Sequence, residues 1–142
     1  MRVQKHLFFD LVLTFHPFAR QLNTYLEQHE LRRPEWALLY LFIIEPAWSL
    51  TEVGHFLNMD QANVTRAIKS LVKRGLIELH VSPVDRRKKD IVITTTGRAV
   101  YEALQVQITQ FELALVEGFS DQELAITQRV LETVRARLLE EE

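Results

Sequence analysis

Between residues 76 and 94 the sequence does something it does nowhere else. Two short runs rich in apolar and β-branched residues, Leu76–Val81 and Asp90–Thr94, flank the polar turn Ser82-Pro-Val-Asp-Arg-Arg-Lys-Lys89. That is the pattern of a β-hairpin. Elsewhere apolar residues recur at spacings of three and four, the period of an amphipathic helix. A chain of helices with one hairpin late in it has few ways to close. The expectation is a mainly α fold with one small β-hairpin attached.

The helices can be counted from their start and stop signals. Leu7, Leu11, Phe15, Phe18, Leu22, Tyr25 and Leu26 form a first stripe, interrupted by Pro17, which predicts a kink or a restart. Pro34 suits the start of a second helix through Trp36, Leu39, Tyr40, Phe42 and Ile43 to about Glu45, where Pro46 stops it. Ser49-Leu-Thr-Glu52 has capping-box spacing and opens a short helix, Leu50 to Leu57. After a turn at Asn58-Met59, Asp60 caps a fourth helix with Val64, Ile68, Leu71 and Val72 inward, ending at Gly75. Beyond the hairpin, Thr94 or Thr95 starts a long helix carrying Val100, Leu104, Ile108, Phe111 and Leu115, which Gly118 breaks. Ser120-Asp-Gln-Glu123 caps the last helix, whose stripe is Leu124, Ile126, Val130, Leu131, Val134 and Leu138, and the Glu140–Glu142 end is expected to fray. The third and fourth helices followed by the hairpin make a winged helix-turn-helix.

Charge is distributed unevenly along this plan. The net charge of −2 hides a block, Gln61 to Arg98, with nine Lys or Arg against three acids, a local +6 in an otherwise acidic chain. Such a block concentrates the attraction for phosphate on one face. The fourth helix contains no acid from Gln61 to Arg74 and turns Gln61, Asn63, Thr65, Arg66, Lys69 and Lys73 away from its apolar stripe. Amides and Arg match base edges, while Lys suits phosphates. On that basis Gln61, Asn63, Thr65 and Arg66 are candidate base contacts. Lys69, Lys73, Arg86, Lys88 and Lys89 are candidate phosphate contacts. In the hairpin turn, Arg87 is slim enough for the minor groove, and Asp85 is placed to hold the neighbouring guanidinium by a two-point hydrogen bond.

The ordered set Leu50-Thr-Glu-Val-Gly-His-Phe-Leu57, Asn63-Val-Thr-Arg66, Leu71-Val-Lys-Arg-Gly-Leu-Ile77, Asp85-Arg-Arg87 and Ile93-Thr-Thr-Thr-Gly97 resembles the MarR family of transcriptional regulators. The motifs span about a third of the chain. The resemblance implies a single protomer over 1–142, with dimerisation helices at 1–30 and 100–142 and a DNA-binding part at 34–98. It implies an obligate homodimer whose two wings straddle a pseudo-palindromic duplex operator, with Asp85 and Arg87 as the wing pair. Leu79 departs from the family, which often has Arg there. The terminal helices carry more apolar stripe than one small module can cover, which independently points to pairing across a two-fold.

The function expected is a ligand-responsive repressor, with an activator lacking an effector, or a winged-helix module for docking proteins, as alternatives. A docking module has no need of the +6 block. Phe15, Trp36, Tyr40 and Trp48, with His16 or Arg20 as a polar member, are candidates for a pocket taking a small aromatic or phenolic effector, as the family suggests. At helical spacing such rings also serve a core.

Other function classes find little support. No cysteine is present, which removes disulfides and thiol chemistry and accords with a reducing cytoplasm. The histidines at 6, 16, 29, 55 and 80 lack metal-ligand spacing, so neither metal nor cofactor is expected. No catalytic constellation can be placed, and an enzyme is the weak alternative. The longest apolar run, Trp36–Ile44, is too short to span a bilayer, and Arg2 and Lys5 precede no cleavage-site pattern.

Overall fold

The computed structural model describes residues 6–45 and 48–140. Arg2, Lys5, Pro46 and the end of the C-terminal Glu run therefore lie outside the described residues. Among the described residues six helices and one hairpin follow in the expected order. They are α1 (Leu7–Glu27), α2 (Arg33–Ile44), α3 (Leu50–Phe56), α4 (Gln61–Lys73), β1 (Ile77–Val81), β2 (Lys89–Ile93), α5 (Thr95–Leu115) and α6 (Asp121–Glu140). The chain forms two compact units, residues 1–108 and residues 109–142.

The first unit is built around α2. That helix is apolar on most sides, and Leu38, Leu39, Leu41 and Phe42 are buried against Leu22 and Leu26 of α1, Ile68 and Leu71 of α4, and Leu104 and Ile108 of α5. Pro17 removes one backbone donor, yet α1 runs through it unbroken, so no restart occurs. The first half of α1 stays in the open. Every residue from His6 to Pro17 is exposed, among them Phe8, Phe9 and Val12 at more than half of their surface.

Capping chemistry sets the helix starts. Ser49 Oγ accepts the Glu52 N–H at 3.1 Å while the Ser49 N–H reaches Glu52 Oε1 at 3.2 Å. Asp60 Oδ1 accepts the Asn63 N–H at 2.7 Å. At the start of α5, Thr94 Oγ1 accepts the Gly97 N–H at 2.9 Å and donates to Gly75 O at 2.6 Å, fastening the end of the hairpin to the end of α4. Glycine at 97 allows this close approach, because a Cβ there would stand 2.0 Å from Leu76 O.

The second unit holds the last turns of α5 and all of α6. Gly118 turns the chain at φ 92°, and Ser120 and Glu123 form the reciprocal cap of α6, each bond 3.0 Å long. Glu123 sits below the usual carboxylate range because it accepts the Ser120 N–H and pairs with that side chain. No residue of α6 is buried, although its apolar stripe is intact. Among the described residues no helix is long and apolar enough to cross a membrane.

Candidate nucleic-acid interface

Helices α3 and α4 meet where Gly54 lets them approach. A Cβ at Gly54 would lie 3.1 Å from both Gln61 Nε2 and Val64 Cγ2. The chain turns between them at Asn58, whose φ of 53° is left-handed and suits Asn, and the Met59 N–H closes the turn on Gly54 O at 2.9 Å. Val64, Ala67, Ile68 and Leu71 then form the buried stripe of α4.

Val72 does not join that stripe. It was expected inward, but it is 39% exposed. At 100° per residue it stands roughly 80° around the helix from Val64, beyond the edge of the contact. The same geometry sorts the polar residues. Arg66, Lys69 and Lys73 project furthest from the core, Gln61 and Thr65 share one flank, and Asn63, Ser70 and Arg74 share the other. Gln61, Asn63, Thr65, Arg66, Lys69 and Lys73 are all exposed. Asn63 and Arg66 are tied to each other and to the cap: Arg66 Nη2 donates to Asn63 Oδ1, and Asn63 Nδ2 to Asp60 Oδ2 at 3.0 Å. The ladder orders two candidate base contacts on one edge of the helix.

Beside α4 the hairpin pairs antiparallel, in register from Ile77 opposite Ile93 to Val81 opposite Lys89. Lys89 therefore begins a strand and does not sit in the turn, where its sequence neighbours suggested it. Inside the turn, Ser82 is buried and its Oγ accepts the N–H groups of Val84 and Asp85 at 3.3 and 3.4 Å, while its own N–H reaches Lys88 O at 3.0 Å. Asp85 Oδ1 accepts the Arg87 N–H at 3.0 Å and Arg87 Nε at 3.5 Å. The carboxylate thus grips one backbone and one side-chain donor with a single oxygen, not the guanidinium at two points. Residues two apart in a tight turn bring the backbone N–H closer than the fork. Arg87 still projects, with its side chain 92% exposed, and Arg86, Lys88 and Lys89 are exposed around it.

The aromatic candidates separate into three groups. Trp36 and Tyr40 stand 6.2 Å apart by ring centroid, and Tyr40 lies 6.4 Å from Tyr101, a residue of α5 that sequence spacing did not single out. Burial, helped by the neighbouring Tyr40, pushes the Tyr101 phenol above its usual range. Trp36 Nε1 is buried without a hydrogen-bond partner among the described residues. Phe15 lies instead beside His16 and under the Arg33 guanidinium, 5.2 Å from ring centroid to Cζ, while Trp48 packs edge-on against Phe56. Arg20 is exposed on α1. Two open clefts of about 490 and 430 Å³ flank the start of α2, and neither is lined by any of these rings. Among the described residues no group of three or more His, Asp or Glu could hold a metal ion.

Comparison with known proteins places this architecture. Residues 29–88 match the family model described as MarR family. Over 121 residues the chain is 28% identical to the uncharacterized HTH-type transcriptional regulator YwoH of Bacillus subtilis (strain 168), covering 85% of this chain and 88% of that protein. A Staphylococcus aureus MarR in complex with salicylate and kanamycin superposes with a TM-score of 0.83 at 21% identity, over 97% of this chain and 93% of that one. The Staphylococcus aureus MepR–DNA complex is similar at a TM-score of 0.78 and 22% identity, over 96% of each chain. The fold is that of MarR winged-helix structures, and the relatives matched are transcriptional regulators, not enzymes.

Proposed function

We propose that the chain is a member of the MarR family, whose model residues 29–88 match, and that it is a sequence-specific, duplex-DNA-binding transcriptional regulator. One observation carries the reading. The acid-free outer face of α4 and the exposed cationic wing lie in the same compact unit, so one unit offers a helix for the major groove and an arginine for the minor groove. Gln61, Asn63, Thr65 and Arg66 reach base edges. Lys69, Lys73, Arg86, Lys88 and Lys89 neutralise phosphates, and Arg87, steadied by Asp85, enters the minor groove. The matched MepR structure is a complex with DNA, which supports the same mode here.

The working form is a homodimer in the cytoplasm, acting as a repressor on a pseudo-palindromic operator. The exposed apolar residues on the first half of α1 and along α6 support it, because monomers rarely leave such stripes in water. A small aromatic effector releases the DNA by binding one spacing of the two recognition helices better than another. The unpartnered Trp36 Nε1 beside Tyr40 offers such a ligand a donor and a ring, and the salicylate bound by the S. aureus relative is of this chemical class.

Selection of bound fragments from genomic DNA tests the reading, followed by a salt titration on the winning duplex. Affinity falls with a log–log slope of roughly −0.9 for each phosphate neutralised. A flat salt response rejects groove binding, and a monomeric mass in sedimentation at micromolar concentration rejects the dimer.

A further inference from the structure

The cation Arg74 belongs to the basic block in sequence, but in space it faces the interior of its unit. It follows the last residue of α4, and its guanidinium donates to His29 O and, at 2.6 Å, to Glu30 O, just past the end of α1. Its Nη1 also stands 3.9 Å from Glu35 Oε2. Glu35 is 6% exposed, and a carboxylate so buried needs partners for both oxygens. Oε1 accepts the Arg32 N–H at 3.0 Å, and Oε2 accepts the Ser70 hydroxyl at 2.5 Å. Ser70 on α4 by a hydrogen bond, and Arg74 just past its end by an ion pair, therefore both engage a carboxylate fixed in the first turn of α2. Arg74 adds the carbonyls that follow α1. Asn63, further up this flank, and Arg66 beside it line the same 430 Å³ cleft as Glu35, Ser70 and Arg74.

We propose that Glu35, Ser70 and Arg74 are positioning residues for DNA reading: they fix the rotation of α4 about its axis, and with it which side chains meet the base edges. The proposal rests on the DNA-binding function above. It assigns Arg74 no phosphate, because its guanidinium is spent on protein acceptors. A rotation of α4 harms base contacts, which demand register, far more than the attraction for phosphate, which is independent of sequence. Loss of the clamp is therefore read in the ratio of affinities for the selected duplex and a scrambled duplex of equal length.

The test measures that ratio for the full chain and for Arg74→Lys, Arg74→Gln and Ser70→Ala, at a temperature where melting curves show each to be folded. Lysine keeps the charge but not the planar fork that serves several acceptors at once. Both Arg74 variants are expected to lose on the order of tenfold in the ratio, the factor that follows from about 1.4 kcal/mol of lost orientation. Arg74→Gln is expected to keep the wild-type salt slope, and Ser70→Ala to shift the ratio the same way by less. An unchanged ratio in the Arg74 variants, whatever their melting temperature, overturns the proposal, as does a slope shallower by about 0.9 in Arg74→Gln, the mark of a lost phosphate contact. If neither Arg74 variant folds, Ser70→Ala decides: a reduced ratio supports the clamp and an unchanged one overturns it. A wild-type chain that prefers no duplex overturns the DNA-binding function instead.

Discussion

Replacing Gly97 by alanine sets two physical effects against each other, and the structure says which wins. Gly97 lies in the first turn of α5, where alanine gains about 1 kcal/mol of helix propensity over glycine. The new methyl carbon, however, would sit 2.0 Å from Leu76 O. A carbon–oxygen contact needs ~3.3 Å, so the helix and the hairpin must part by about 1.3 Å. The obstacle is backbone, which no rotamer change can clear. Parting them strains the Thr94 N–H bond to Leu76 O, now 3.1 Å, worth about 1 kcal/mol net. Overpacking of this kind costs about 1–3 kcal/mol, and a backbone clash belongs at the upper end. The net expectation is a loss of about 2–3 kcal/mol, read as a fall of roughly 6–10 °C in melting temperature for a chain of this length. Melting is followed by circular dichroism at one fixed protein concentration, since dimerisation also moves the midpoint. Gly54→Ala is the comparison, because its methyl meets side chains at 3.1 Å and backbone only at an ordinary 3.5 Å, and is expected to cost less. A Gly97→Ala midpoint equal to or above wild type would refute the reasoning.

Three further outcomes follow from the geometry. Arg87→Ala removes a side chain that is 92% exposed, so operator affinity should drop by about 1–2 kcal/mol with the melting curve unmoved; unaltered binding in a mobility-shift titration would remove Arg87 from the interface. Asp60→Ala deletes the cap of α4 and should lower stability by about 1 kcal/mol in urea titration, while also freeing Asn63 from its ladder to Arg66. Glu123 has a lowered pKa in the folded chain, so its cap contributes fully above the ordinary carboxylate range and is lost as pH falls through the depressed value. Protection of the Ser120 and Glu123 amides, taken relative to the intrinsic exchange rate at each pH, should fall on that acid side, and Glu123→Gln should remove that fall; protection that tracks pH equally in both would count against the cap.

Much of this protein was legible before any tertiary contact was known, and the legible parts share a cause. Ser49, Asp60 and Ser120 announce helix starts because a cap is a bond between residues three apart. The β-branched runs announce the hairpin for a similar reason. Errors arose where a residue answers to something distant. Val72 looked like core by its spacing, but how far the buried stripe reaches depends on which helices lie alongside. Lys89 read as part of the turn, and only the pairing register moved it into a strand. The aromatic candidates looked like one set, yet Tyr101 comes from a helix some sixty residues beyond its neighbours Trp36 and Tyr40.

The sequence by itself determined the local elements, their order and the sign of the surface, because caps, turns and periodicity act over a few residues. Tertiary structure alone decided the role of charges that look alike in a row. Lys73 and Arg74 are adjacent cations at the end of one helix, yet one projects into solvent and the other holds the ends of α1 and α4 to a buried carboxylate. The difference is 100° of helix rotation, and it acquires meaning only once α1 and α2 stand on one side of α4 and water on the other.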